Sequence, residues 1–145
     1  MQPADDLQSP RVPSETAKAQ ATWFGQLEQR DFDADFYERL VAAEPNNVRI
    51  LRLLGELYAR QGRYHRALEI DQKLVELVPG DSIVHYNLAC SLAMLGQLAP
   101  AIVSLGRAVG LGYNDFSHLE VDPELNPLRN LPQFQSLLAQ YGISS

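Results

Sequence analysis

The sequence predicts an all-α fold built from helical hairpins. Three observations lead to this prediction: similar residues recur at an offset of 34 positions, apolar residues fall three and four apart, and glycine and proline stand where helices should end. The matching pairs are Pro45 and Pro79, Leu54-Gly55 and Leu88-Ala89, Tyr58 and Leu92, Gly62 and Gly96, Tyr64 and Leu98, and Ala67 and Ala101. Agreement at one offset indicates two copies of one structural unit.

Each copy has the signals of a helix, a turn and a second helix. In the first copy, Asn46 or Asn47 can cap a helix that starts near Val48. Gly62 can end that helix in a left-handed turn, and Pro79 stops a second helix that runs from about Arg63 to Leu77. The second copy repeats the signals, with a capping Asp81, an apolar stripe of Val84, Leu88 and Leu92, and a turn at Gly96.

These residues resemble the tetratricopeptide repeat family. The family pattern of Leu-Gly, Tyr, turn Gly, Tyr, Ala and Pro is matched by Leu54-Gly55, Tyr58, Gly62, Tyr64, Ala67 and Pro79. Asp71 and Leu74 depart from it in the first copy, and Ala89, Leu98 and Tyr113 depart in the second. The resemblance covers residues 45–112 and implies an α-solenoid of helical hairpins with a right-handed superhelix. The departures at Asp71 and Leu74 suggest altered packing against the next element.

The organisation predicted from these signals is a disordered tail, residues 1–15, followed by a single domain, residues 16–145. Residues 16–44 are expected to form a degenerate capping hairpin with helices at Ala17–Arg30 and Ala34–Glu44, and Asp31 or Asp33 as the cap between them. The repeats then occupy residues 45–79 and 80–112.

The C-terminal segment, residues 113–145, is expected to cap the array. It breaks the 34-residue period, contains three prolines, and predicts a final helix at Pro132–Tyr141. Its apolar residues can cover Ile102, Leu105 and Val109, which no third repeat follows. It is similar to the segment that closes many bacterial tetratricopeptide repeat proteins, which implies a bacterial source.

Composition excludes several classes of function. The net charge of −6 argues against nucleic-acid binding, and no apolar stretch approaches the ~18 residues that cross a bilayer, so no membrane insertion is expected. The acidic N-terminus has no apolar core of a signal peptide, which favours a cytoplasmic protein.

No arrangement of residues predicts catalysis, a metal or a cofactor, so we expect no enzyme. Asp122 and Glu124 lie in a proline-rich turn without a basic or nucleophilic partner, which favours capping or solvation. His85 and Cys90 fall on different sides of one helix and do not form a dyad.

The predicted function is that of a protein-interaction module. In the family, the first helix of each repeat lines a concave groove, so the resemblance implies binding residues there; they are Arg49, Arg52, Glu56, Arg60, Ile83, Tyr86, Asn87, Cys90 and Met94. We expect Tyr86 and Met94 to be exposed, and the partner to be an acidic protein or peptide with apolar anchors. The alternatives are a structural subunit or homodimer, and a regulatory domain of a larger enzyme.

Overall fold

The computed structural model describes the backbone of residues 23–142 and the side chains of residues 33–142. Within these residues every regular element is a helix, and no strand is present. The helices are α1 (Trp23–Ala43), α2 (Val48–Arg60), α3 (Tyr64–Leu77), α4 (Ser82–Met94), α5 (Leu98–Gly110), α6 (Phe116–Val121), a 3-10 helix (Pro123–Leu128) and α7 (Pro132–Gln140). The predicted all-α fold is confirmed. The predicted tail, residues 1–15, lies outside the described residues.

The described residues divide into two compact units, with the boundary between Leu54 and Gly55, inside α2. In the first unit, α1 is one helix where the sequence analysis predicted a hairpin. The break expected at Asp31 or Asp33 is wrong, because no glycine or proline occurs between Gln26 and Glu44 to end the helix. Residues 17–22 of the predicted first helix lie outside the described part.

The predicted caps of the first helix in each repeat are present. The Asn47 side-chain oxygen accepts a hydrogen bond from the backbone N–H of Ile50 at 3.1 Å. Asp81 accepts one from Ile83 in the same way at 2.9 Å. These contacts satisfy amide groups at the helix start that have no partner within the helix.

The predicted glycine turns also form. Gly62 has φ 75° and Gly96 has φ 79°, both in the left-handed region. The residue after each glycine donates back to the carbonyl five positions earlier, from Arg63 to Tyr58 at 2.8 Å and from Gln97 to Leu92 at 2.9 Å. Each first helix therefore ends in the same backbone motif, which reverses the chain into the second helix.

Gly55 and Asp71 lie at contacts between helices of the second unit. A Cβ atom at Gly55 would lie 3.1 Å from the Ile70 Cγ2 and 3.6 Å from an Asp71 carboxylate oxygen. Asp71 is 5% exposed and accepts a 2.6 Å hydrogen bond from the Ser91 hydroxyl on α4. Burial raises its pKa to about 7, although the Ser91 hydrogen bond acts in the opposite direction. The aspartate in a usual aromatic place thus makes a polar contact with the next repeat.

The C-terminal segment folds over the second repeat. A third left-handed glycine, Gly112, ends α5, and α7 occupies nearly the whole predicted range of the final helix. Two short helices, α6 and the 3-10 helix, lie between α5 and α7. Apolar side chains of this segment join those of α4 and α5 in one core; its fully or almost fully buried members are Leu119, Leu125, Leu128, Phe134 and Leu138.

Candidate functional site

The predicted partner-binding residues of α2 remain accessible. Arg49, Glu56 and Arg60 are exposed, and Arg52 is half-buried. The residues of the apolar stripe on the same helix, among them Leu51 and Leu54, are at most 3% exposed. Arg49 and Arg52 are three residues apart on α2, and Glu56 and Arg60 are four apart, so each pair shares a solvent-facing side within its own unit. Arg49 and Arg52 belong to the first unit, whereas Glu56 and Arg60 belong to the second.

The corresponding residues of α4 divide into two groups. Ile83 and Met94 are 43% and 40% exposed, and Asn87 is half-buried. Tyr86 and Cys90 are each only 4% exposed. The expected exposure of Met94 is confirmed, whereas that of Tyr86 is wrong. The physical reason is that the C-terminal segment lies against the middle of α4.

Asp122 makes the central polar contacts between this segment and α4. Its Oδ2 accepts a hydrogen bond from the Tyr86 hydroxyl at 2.6 Å and lies 3.8 Å from the donating Cys90 thiol. The Nε2 of His118, one helical turn earlier, is 3.1 Å from the same oxygen. Asp122 is 5% exposed and Tyr86 and Cys90 are each 4% exposed, so these two hydrogen bonds are largely shielded from water. The His118 side chain is 51% exposed, so its contact with Asp122 is open to solvent.

The other oxygen of Asp122 begins the 3-10 helix. Oδ1 accepts a hydrogen bond from the backbone N–H of Glu124 at 2.9 Å. The Glu124 carboxylate in turn accepts one from the Tyr64 hydroxyl of α3 at 2.8 Å. Arg129 donates to the Asp122 carbonyl oxygen at 2.6 Å. The expected capping role of Asp122 is correct. The expectation of no basic or nucleophilic partner is wrong, because His118 contacts Asp122 from four residues away and Cys90 from 32 residues away.

The environment of these groups disfavours charge on the donors. Burial, followed by the hydrogen bond to Asp122, raises the pKa of Tyr86. Burial and then the carboxylates of Asp122 and Glu124 raise the pKa of the Cys90 thiol. The tyrosines and the thiol therefore stay protonated at neutral pH and can donate hydrogen bonds to the carboxylates.

Among the described residues, one group has side chains of the types that bind metals, namely Cys90, Asp122 and Glu124. One ligand atom from each lies within 4.8 Å of the others. Both carboxylates already accept hydroxyl hydrogen bonds, and the raised pKa of the thiol opposes formation of the thiolate that binds metals. The arrangement therefore suits a hydrogen-bonded contact between two parts of the chain. The same raised pKa is opposite to what a nucleophilic cysteine requires.

Tyr64, His118 and Asp122 were absent from the predicted site. Asp122 stands 36 residues from Tyr86 and 32 from Cys90, and Glu124 stands 60 from Tyr64. No repeat spacing or helical periodicity relates residues at these separations. Two local signals were available, the Asp-Pro-Glu sequence, which predicts the cap, and the four-residue spacing of His118 and Asp122. Neither predicts the contacts with α3 and α4.

Two helix–turn–helix units at one 34-residue offset define the class of protein as a helical-repeat scaffold. The model of the tetratricopeptide repeat family matches residues 36–69, from the last part of α1 into α3. Residues 36–69 therefore match a tetratricopeptide repeat, and such repeats generally mediate protein–protein interaction.

The chain is also similar to part of a longer plant protein. The chain is 32% identical over 93 residues to a chloroplastic protein of Arabidopsis thaliana. The match covers 62% of this chain and 28% of that protein, so the chain spans much less than the relative's full length. Among the described residues, no helix is both long and apolar enough to cross a membrane. The bacterial source and cytoplasmic location stay predictions.

Proposed function

We propose that the protein is an interaction scaffold whose binding surface includes the arginine face of α2, defined as Arg49, Arg52, Glu56 and Arg60. The observation that supports the proposal is the separation on this helix between an exposed charged side and a buried apolar stripe. A charged side of this kind is often only solvated, and isolated surface pairs contribute little to stability. On a helical-repeat scaffold, the first helix of a repeat instead offers a regular surface for a partner.

The partner proposed for this face is an acidic peptide with one or two apolar anchors. Three of the four residues are arginines, and guanidinium groups form charge-assisted, bidentate hydrogen bonds with carboxylates. Residues 45–79, which contain α2, carry six basic and four acidic side chains within a chain of net charge −6. The exposed Ile83 and Met94 of α4 are the proposed apolar contacts, with Asn87 as a polar one. Tyr86 and Cys90 remain members of the surface only where the C-terminal segment is displaced.

The test is fluorescence anisotropy with two labelled synthetic peptides that share the same apolar anchors and differ only in carrying Asp and Glu or Lys and Arg. We expect the acidic peptide to bind more tightly and added salt to weaken it. Arg52→Glu should raise its Kd about tenfold or more, since each charge-assisted contact contributes about 1.5–3 kcal/mol. Arg107→Glu is the matched control, because it makes the same charge change at an exposed site on α5.

Tighter binding of the basic peptide would contradict the proposed partner chemistry, as would equal effects of Arg52→Glu and Arg107→Glu. Circular dichroism of each variant establishes that a lost signal reflects binding and not unfolding. Light scattering on the same samples addresses the alternative, since a stable dimer at micromolar concentration would favour a structural subunit.

A further inference from the structure

The side chains of Tyr64, Tyr86 and Cys90 form a set of three hydrogen-bond donors in the second unit, called here the donor pocket. The pocket is filled by the carboxylates of Asp122 and Glu124, at 2.8 Å or less from the tyrosine hydroxyls. Donors on one side and acceptors on the other are complementary, as they are between a receptor and a bound acidic peptide.

Two members of the donor pocket hold special places in the repeat. Tyr86 and Cys90 occur at the same repeat positions in α4 that Arg52 and Glu56 occupy on the accessible side of α2. The same register thus gives an open side on one helix and a covered side on the other. The cover on α4 is a stretch of the chain itself.

The covering segment, residues 118–128, has the composition of an anchored acidic peptide. Leu119, Leu125 and Leu128 are all 0% exposed, and they flank the two carboxylates along the chain. Burial of the leucines supplies most of the binding free energy. The hydrogen bonds from the donors to the carboxylates fix the orientation of the segment.

We propose that residues 118–128 act as an intramolecular ligand that closes the donor pocket, and that the closure is an autoinhibitory contact. An acidic segment of a partner can reach Tyr86 and Cys90 only after this segment leaves. The buried leucines keep the closed state dominant, so we expect the segment to open rarely and transiently, with α3, α4 and α5 still folded. This proposal does not depend on binding of a partner to the arginine face. An experiment can therefore contradict one of the two proposals and leave the other unaffected.

Cys90 is the only cysteine in the chain, so its labelling by a thiol reagent such as 5,5′-dithiobis(2-nitrobenzoic acid) reports on the pocket alone. In the folded protein we expect labelling at least about a hundredfold slower than in urea-unfolded protein, with a urea dependence smaller than that of global unfolding. Asp122→Ala should accelerate labelling about tenfold, because it removes the acceptor of the Tyr86 hydroxyl. Glu120→Ala, at an exposed position of α6, is the matched control and should leave the rate unchanged.

The variant Asp122→Asn distinguishes opening of the segment from a change in the reactivity of the Cys90 thiol. It removes the same negative charge near the thiol but keeps a side-chain acceptor, so it should accelerate labelling less than Asp122→Ala. Equal rates for these two variants would mean that only thiol reactivity changed, and would overturn the proposal. The proposal would also fail if wild-type Cys90 reacted as fast as in unfolded protein, or only through global unfolding as judged by urea dependence. If circular dichroism shows Asp122→Ala to be unfolded, Tyr86→Phe provides the test. We expect it to be labelled severalfold faster than wild type, and an unchanged rate would contradict the proposed closure.

Discussion

The first helices of the two repeats occupy equivalent places in the sequence and have different surroundings. On α2, Arg49, Glu56 and Arg60 are exposed and Arg52 is half-buried. On α4, the residues 34 positions later are exposed at the two ends, Ile83 and Met94, and buried in the middle, Tyr86 and Cys90. The repeat therefore determines which residues share a side of a helix. What covers that side depends on a segment outside the repeats.

The residue types explain why the middle of α4 can be buried while the middle of α2 stays accessible. A hydroxyl and a thiol can be buried at low cost when each has an acceptor, as Asp122 provides for Tyr86 and Cys90. The corresponding residues of α2, Arg52 and Glu56, carry charges whose burial would cost far more. A covered α4 and an accessible α2 thus follow from the chemistry of two positions in each repeat.

The largest expected effect comes from removing the cover of α4 altogether. Deletion of residues 113–145 removes Leu119, Leu125, Leu128, Phe134 and Leu138 from the core. Each buried Leu or Phe contributes about 1.5–3 kcal/mol, so their total is comparable to the whole usual margin of about 5–15 kcal/mol. We expect an aggregating or molten protein, measured by chromatography and thermal unfolding.

Two point variants measure how much single side chains of this segment contribute to the free energy of unfolding. Leu125→Ala, at a site with 0% exposure, should cost about 2–5 kcal/mol, whereas Val121→Ala, 73% exposed, should change stability by less than about 0.5 kcal/mol. A soluble truncation that unfolds cooperatively near the wild-type Tm would show that the C-terminal segment is a loosely attached arm.

The next largest effect concerns Asp71, which links α3 to Ser91 of α4. Burial raises its pKa to about 7 from the ordinary 3.8, so the folded state holds a proton that the unfolded state has lost between these values. Its contribution to stability is complete below about pH 4 and is lost as pH rises to about 7, by up to ~1.4 kcal/mol for each pH unit.

Urea unfolding of wild type and Asp71→Asn at pH 5 and pH 8 measures this contribution. The asparagine variant cannot ionise, so the difference in unfolding free energy between the two pH values should shrink. Other groups in the protein titrate equally in both proteins and cancel in the comparison. An identical pH dependence for the two proteins would mean that Asp71 is ionised in the folded state throughout.

The smallest effect compares Gly55 with its repeat equivalent, Ala89. Gly55→Ala should destabilise by ~1 kcal/mol, because the new methyl group meets the stiff, β-branched Ile70 at 3.1 Å. Ala89→Gly should also cost ~1 kcal/mol, through lost helix propensity at a fully buried site. Gly80→Ala meets no atom within 4 Å and serves as the control for both. If Gly55→Ala stabilises the protein, then Ile70 moves aside, and this position accepts alanine in both repeats.

Local signals in the sequence predicted most of the helices. The starts of α2 and α4 follow from Asn47 and Asp81, and their ends follow from Gly62 and Gly96, since each signal acts within a few residues. The same kind of reasoning failed at Asp31 and Asp33, because a potential cap does not break a helix that lacks a glycine or proline. Propensity within α1 was the stronger effect.

The candidate site was less predictable than the fold. The exposure of Met94 could be read from helical register, but the burial of Tyr86 could not, because its cover comes from Asp122 across 36 residues. Periodicity reports which side of a helix is apolar. It does not report which distant segment supplies an acceptor to a hydroxyl group on that side.

The stacking of Tyr86 on Tyr113 has a spectroscopic consequence. The two rings lie 4.3 Å apart between centroids and within 13° of parallel. Aromatic rings held in one orientation give near-ultraviolet circular dichroism, which vanishes when packing is lost even if helices persist. The tyrosine band should therefore follow the seating of the C-terminal segment, while the far-ultraviolet signal follows the helices, so the two processes can be recorded separately on unlabelled protein.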